Sequence, residues 1–209
     1  MIFTKMTTFL KTNLDKEYWE NRYLNQETGW DIGSISTPLQ VYVDQLTTKN
    51  LKILIPGAGF GHEARYLVET GFKNITVIDL SRSALNRLKT SLPQNSTCQI
   101  IEGNFFDHNG KYDLILEQTF FCALQPQQRI DYAKKCAELL KPNGKLSGLL
   151  FDFPLTENGP PFGGSFEEYQ SLFSEYFHIK TLERCYNSIK PRDGKELFFI
   201  FENLITTIR

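Results

Sequence analysis

The chain has 209 residues, enough for one well-cored domain and short for two. Lys and Arg total 23 against 24 for Asp and Glu, a formal net charge of -1, so no global field draws the protein to nucleic acid or anionic lipid. No apolar run approaches the roughly 20 residues of a membrane helix. The spacing of apolar residues predicts a strand over Leu51–Pro56, then a helix over His62–Thr70 that stops at Gly71. The cycle repeats with a strand over Ile75–Leu80, a Ser81-capped helix over Arg82–Leu92 and a third strand over Thr97–Glu102. Tyr112–Glu117 reads as a fourth strand and Pro126–Leu140 as a helix with proline at its start. "KPNG", Lys141–Gly144, marks a turn into a long apolar strand, Lys145–Phe153. Strands alternating with helices in this way imply an α/β fold whose parallel sheet is covered on both faces.

The last third breaks the pattern. "TENGPPFGGS", Thr156–Ser165, is a loop, and Ser165 with Glu168 has the spacing of a capping box for a helix to Phe177. Strands over His178–Tyr186 and Glu196–Ile205 flank "SIKPRDGK", a connection short enough to allow only an antiparallel pair. Cys98, Cys122, Cys136 and Cys185 lack CxxC spacing, and no basic-then-apolar leader opens the sequence, so reduced thiols and a cytoplasmic location are expected. His62, His108 and His178 lie far apart, which gives no local metal signature. No exposed apolar stripe remains once the helices are placed, so a monomer is expected.

Gly57, Gly59 and Gly61 make GxGxG between the first strand and helix, without the Lys and Ser/Thr of a phosphate-cradling loop. Glycines there let the backbone approach a ligand at the mouth of the sheet, where a helix N-terminus attracts a carboxylate as well as a phosphate. Asp79 ends the next strand about twenty positions on, where a carboxylate meets ribose hydroxyls in nucleotide-binding sheets. A tight turn with an Asp-x-Ser helix cap explains the same residues without a ligand. "EGNFFD" offers Asn104 and Phe105, a polar group and an aromatic face suited to adenine, although Phe105 serves equally as core. "YDLILE" delivers Glu117 and Gln118 to the mouth of the fourth strand. Together these segments line up ribose, adenine and amino-acid contacts along one edge.

With these residues in place the chain resembles a class I S-adenosyl-L-methionine-dependent methyltransferase. "GWDIGSISTPL", "IPGAGFGHEA", "QTFFCALQPQQR", "AELLKPNGKL" and "NGPPF" are similar in order and spacing to the thiopurine S-methyltransferase family, most of all to its plant halide and thiol methyltransferase branch. The resemblance implies a Rossmann-like, seven-stranded, mostly parallel sheet ending in an antiparallel hairpin, with helices on both faces. One domain, 1–209, would comprise an N-terminal helix and cofactor-covering segment (1–45), the core (51–153) and a substrate-side loop, helix and hairpin (154–209).

The resemblance implies S-adenosyl-L-methionine as cofactor, S-adenosyl-L-homocysteine as product, and transfer to a small thiol, thiopurine-like compound, halide, thiocyanate or metalloid anion. Trp19, Tyr23 and Trp30 match aromatic cofactor contacts, whereas the helical spacing of Tyr18, Trp19 and Tyr23 alone reads as a core stripe. Gly57 and Gly59 match the turn at the cofactor's amino-acid end, and Asp79 with Leu80 the ribose site. Asn104 and Phe105 match the adenine pair, and Glu117 and Gln118 further contacts. The family usually has Asp at Asn104, whose side-chain oxygen is expected to accept from the adenine amine. Phe162 stands where the plant halide enzymes have Tyr, which leans the reading toward thiols. Arg129 matches an arginine near substrate, or is an ordinary solvated charge at a helix start. Phe120, Phe121, Phe153 and Phe162 are expected to form an apolar pocket at the sulfonium, with Arg129 favouring an anionic nucleophile.

In-line displacement from a sulfonium needs mainly proximity and alignment, so no catalytic triad and no metal are expected. Against a nicotinamide-dependent oxidoreductase stand the GxGxG spacing, the GPPF loop and the closing hairpin. A noncatalytic cofactor-binding protein would keep the same site and lose transfer. A nucleic-acid methyltransferase is disfavoured by the balanced charge and the lack of a base-binding (N/D)PP(Y/F) motif after the fourth strand.

Overall fold

The computed structural model describes residues 13–204. Two helices, α1 (Lys16–Leu24) and α2 (Thr37–Asp44), precede alternating strands and helices: β1 (Lys52–Pro56), α3 (His62–Glu69), β2 (Asn74–Asp79), α4 (Arg82–Ser91), β3 (Gln99–Glu102), β4 (Tyr112–Glu117), α5 (Arg129–Leu139) and β5 (Leu140–Phe151). Helix α6 (Phe166–Ser174) and strands β6 (Phe177–Arg184) and β7 (Glu196–Asn203) follow. The seven strands form one sheet in the order β3-β2-β1-β4-β5-β7-β6. Strands β1 to β5 pair in parallel, and β7 runs against both of its neighbours. The expected class of fold, mostly parallel with an antiparallel hairpin at the end, is the one observed.

Neighbouring residues on each strand point to opposite faces, which splits the core in two. Leu54, Ile78, Ile115, Leu146 and Leu150 pack on the face covered by α5 and α6. Ile53, Ile55, Val77, Leu114 and Leu116 pack on the face covered by α2, α3 and α4. The expected caps hold locally: the Ser81 hydroxyl accepts from the Ala84 N–H at 3.1 Å, and that of Ser165 from the Glu168 N–H at 3.2 Å. The second half of the Ser165–Glu168 box is a correction, because the Glu168 carboxylate turns to Arg129 instead.

Four element boundaries also differ. "KPNG" is a bulge carried inside β5: the register with β4 jumps from Tyr112↔Leu140 to Leu114↔Lys145, and Asn143 takes a left-handed φ of 61°. The helix expected from Pro126 opens as a 3-10 turn, Pro126–Gln128, before α5 begins at Arg129. Phe177 starts β6 rather than ending α6, because its buried ring packs on Phe173 and Phe201. The strand expected to reach Phe153 ends at Phe151, and Phe153 forms a single bridge to Gly164. Ile205, and residues 1–12 of the expected N-terminal segment, lie outside the described residues. Among the described residues no helix is long and apolar enough to cross a membrane, and no His, Cys, Asp and Glu cluster could hold a metal ion.

Candidate functional site

At the carboxyl ends of β1, β2 and β4, under the segment that carries α1, lies a cavity of about 690 Å³. Its floor is the glycine turn. Gly57 and Gly59 take left-handed φ values of 57° and 52°, and each is hemmed in from outside. A Cβ at Gly57 would fall 2.2 Å from the Phe120 ring, and one at Gly59 would fall 2.7 Å from the Tyr23 hydroxyl. Any side chain at either position would therefore displace the cavity wall.

Asp79 braces this turn. Its buried carboxylate accepts from the Gly59 N–H and the Ser81 N–H, each at 2.8 Å, and it lines the cavity. Burial raises its pKa while those backbone bonds oppose the rise. Each oxygen keeps a second lone pair for a ribose hydroxyl. Leu80 lines the cavity beside it. Asn104 also faces the cavity, but its side-chain oxygen already accepts from the Phe106 N–H at 3.1 Å. That oxygen keeps a second lone pair for the expected adenine amine, and the amide NH₂ remains to donate to a ring nitrogen. Phe105 lines the cavity with a ring only 3 % exposed, packed on Phe120 and Tyr132, and half-buried Phe106 adds a second aromatic face that sequence reasoning missed.

The roof comes from α1 and the loop behind it. Trp30 meets Trp19 and Tyr23 edge to face at 5.6 and 5.7 Å, and all three line the cavity. Trp19 and Tyr23 of the aromatic stripe therefore belong to a roof rather than to buried core, while Tyr18 packs on Trp19 away from the cavity. Burial and the nearby Asp79 charge raise the pKa of the Tyr23 phenol, which stays neutral. Polar ties fasten the roof to the sheet, among them the Lys16 ammonium on the Glu102 carboxylate. Glu20 accepts from the Ser81 hydroxyl, the Ser83 hydroxyl and the Ser83 N–H at 2.6, 2.5 and 3.1 Å. Burial pushes its pKa up, and these hydrogen bonds outweigh it to leave the value lowered. Asp31 accepts from His62 Nε2 at 2.7 Å, Gln118 accepts from the Ser36 hydroxyl at 2.9 Å, and Arg192 Nη2 donates to the Trp30 carbonyl at 2.9 Å.

The side beneath β4 and β5 departs most from expectation. Phe120 lines the cavity, but Phe121, Phe153, Phe162, Arg129 and Glu117 are not among its lining residues. Phe121 is 1 % exposed and packs among Tyr132, Tyr169 and Phe173. Phe162 is 4 % exposed and stands behind Gly159, so that Pro160 and Pro161 front the cavity instead. Phe151, in ring contact with Phe153 at 5.2 Å, takes the place expected of Phe153. Arg129 is buried at the start of α5, bonded to Glu168 at 2.5 Å and to the Gly163 carbonyl at 2.7 Å. It pins the loop before α6 and stays out of the cavity lining.

Glu117 is likewise internal. Its carboxylate accepts from the Phe120 and Phe121 N–H groups at 2.8 and 2.9 Å and from the Tyr132 hydroxyl at 2.6 Å, which orients the loop after β4. Burial pushes its pKa up to about 7. Next to it Gln118 lines the cavity, as does Thr119, a β-branched residue in a left-handed conformation at φ 57°. Cys122 also lines the cavity, and burial raises its thiol pKa well above the ordinary value, so the wall carries a thiol and not a thiolate.

Arg192 was hidden in the polar "SIKPRDGK" run. A 3-10 turn, Lys190–Arg192, lays its guanidinium over the Phe151 ring at 5.7 Å, where it bonds Glu196 at 3.4 Å and lines the cavity. Only its place between β6 and β7, next to β5 in the sheet, reveals this role. Glu63, in the first turn of α3, is a second buried charge that sequence reasoning passed over.

A carboxylate for a ribose diol, an amide with two aromatic rings for a base, and a turn with the N-terminus of α3 for a carboxylate all suit an adenosyl amino acid. The thiopurine S-methyltransferase family model matches residues 14–208. Thiocyanate methyltransferase 1 of Brassica oleracea is 30% identical over 199 residues, covering 92% of this chain and 87% of that protein. Probable thiol methyltransferase 2 of Arabidopsis thaliana is 30% identical over 184 residues, covering 85% and 81%. The N-methyltransferase NodS from Bradyrhizobium japonicum, solved with S-adenosyl-L-homocysteine, superposes with a TM-score of 0.72 at 16% identity over 92% of this chain and 100% of that one. The chain belongs to the thiopurine S-methyltransferase family and is an S-adenosyl-L-methionine-dependent methyltransferase.

Proposed function

We propose that the protein methylates a small, soft anionic nucleophile, first of all the thiolate of a small thiol, at the end of the cavity bounded by Phe120, Phe151, Pro160 and Pro161. The observation that carries this reading is Arg192, a buried guanidinium at that end. Lys16 and Arg22 also line the cavity, but Lys16 is exposed and Arg22 only half-buried against Trp30; each of these cations pairs with an acid, Arg192 with Glu196, and Arg192 alone of them is buried. Thiol and thiocyanate in the names of the two plant relatives support the same class of acceptor.

When bound, the cofactor would supply a methyl group activated on a sulfonium for direct transfer to the nucleophile. The residues here have three tasks: to hold the cofactor along β1 to β3, to admit the acceptor beside Arg192, and to keep water out. The roof of Trp19, Tyr23 and Trp30 and the Pro160–Pro161 wall serve the last task, and alignment in a dry site accounts for most of the acceleration. Arg192 stabilises an anionic acceptor without a dedicated base, which also favours thiocyanate and halide ions as a second reading. Phe162 bears on that choice only through the proline wall it supports.

The test is the formation of S-adenosyl-L-homocysteine with an aromatic thiol, a thiopurine, sulfide, iodide and thiocyanate, with methylated products identified by mass spectrometry. Fast turnover of thiols with slow turnover of ions supports the first reading, the reverse order supports the second, and cofactor binding without transfer to any of them defeats both. We place the protein in a reducing compartment as a monomer. Among the described residues no cysteine is disulfide-bonded, and the exposed large apolar residues, such as Leu24, Ile130 and Tyr186, lie on separate elements. Light scattering that gives twice the chain mass would defeat the monomer.

A further inference from the structure

Glu63 is the one buried acid of the cavity that the site as described leaves without work. It is 7 % exposed, and it lines the cavity from the first turn of α3, directly after the glycine turn. Its carboxyl interacts with its own backbone N–H, and no other described residue donates a hydrogen bond to it. The neighbouring His62 and Arg192 side chains are engaged elsewhere: His62 bonds Asp31, and Arg192 bonds the Trp30 carbonyl and Glu196. Burial raises the pKa of Glu63, as expected of a carboxylate without a direct partner. A buried ionised acid is costly unless a cation with N–H donors meets it.

The amino-acid end of the cofactor carries a carboxylate and an ammonium. The backbone N–H groups of the glycine turn and the start of α3 suit the carboxylate and cannot accept from the ammonium. We infer that Glu63 receives the ammonium group of the cofactor's amino-acid end, making it a cofactor-binding residue that reads a zwitterion rather than a simple carboxylate. Asp31, held by His62 across the cavity, adds negative potential from the roof. This role rests on the cofactor occupying the cavity and is independent of which acceptor is methylated.

Calorimetric titration of the full chain with S-adenosyl-L-homocysteine and with its deamino analogue separates the roles. For the native protein we expect the amino group to improve affinity about 30-fold, in the range of one charge-assisted hydrogen bond. Glu63→Gln should lose that preference, binding S-adenosyl-L-homocysteine about 30-fold more weakly and the deamino analogue within about 3-fold of native. Glu63→Asp should recover part of the preference. Equal weakening toward both ligands would make Glu63 structural and overturn the inference. Unchanged affinity for both, with thiol turnover lost and iodide turnover kept, would overturn it in favour of a proton acceptor for thiols. Failure of the native protein to bind S-adenosyl-L-homocysteine would remove the cofactor assignment itself and the inference with it.

Discussion

Glu117 and the two arginines divide structure from chemistry at the scale of single residues. With its folded pKa pushed up to about 7, Glu117 keeps its proton in the native state after the unfolded chain has released it. Its contribution to stability is therefore fully present below about pH 4.5 and is lost as pH rises toward 7. At about 1.4 kcal/mol per tenfold change, that loss amounts to about 3 kcal/mol. Glu117→Gln has no such loss, because its amide keeps an acceptor for the two N–H groups and the Tyr132 hydroxyl can turn to accept. Urea unfolding at pH 5 and pH 8 should show the variant gaining on the native protein as pH rises; a constant difference would mean that Glu117 titrates normally. Arg129 and Arg192 separate in the same way. Arg129→Met should cost about 2 kcal/mol, through the lost bonds to Glu168 and the Gly163 carbonyl, with kcat/KM nearly unchanged at a temperature where the variant is folded. Arg192→Met should lower kcat/KM for anionic acceptors by roughly 30-fold or more. If activity follows Arg129 instead, the acceptor lies on the other side of Phe121.

Among the elements, α1 is held less by burial than by polar ties, Glu20 making most of them beside the Lys16–Glu102 pair. It has no fully buried residue, and Glu20 ties it to the start of α4 through Ser81 and Ser83. Glu20→Ala should therefore release the roof without unfolding the sheet. Hydrogen exchange over Lys16–Leu24 should speed up and S-adenosyl-L-homocysteine should bind about tenfold more weakly, while the melting temperature of the ligand-free protein moves by only about 2 °C. Strand β5 is the opposite case, because Gly148 lies so close to β4 that a Cβ would sit 2.1 Å from the Glu117 carbonyl oxygen. Gly148→Ala is expected to cost about 3 kcal/mol, and thermal denaturation would measure it directly. Helix α2, Thr37–Asp44, was not read from the sequence because it is only 8 residues long, about two turns, too short for its apolar period to stand out. Its buried face, Leu39, Tyr42 and Val43, acquires meaning only against the sheet.

Across the whole molecule, the parallel half was legible because β1, β2 and β4 are apolar runs that glycine and polar turns separate cleanly. The cofactor edge was legible for the same reason: Asp79 ends a strand, Gly57 and Asn104 come just after one, and residues at strand ends converge in a parallel sheet. The acceptor end was not. Arg129 and Phe162 stand in telling sequence contexts, yet the chain buries both behind a loop, and Arg192 reaches the cavity from a stretch that reads as an ordinary polar turn. Charge and type can be read from one position, whereas which side of a wall a side chain takes depends on strands that pair across long separations.

The order β5-β7-β6 has a consequence for synthesis. Strand β6 leaves the ribosome before β7, yet β7 is its only partner in the sheet, so β6 has no seat until its successor slides in beside β5. Until then β5 presents an open apolar margin, the kind of surface on which nascent chains adhere to one another or recruit chaperones. Arg192 lies in the link between those two strands, so the acceptor end is the last part of the enzyme to take shape. A polypeptide stalled before β7 could own most of a cofactor site and still have nowhere to put a nucleophile.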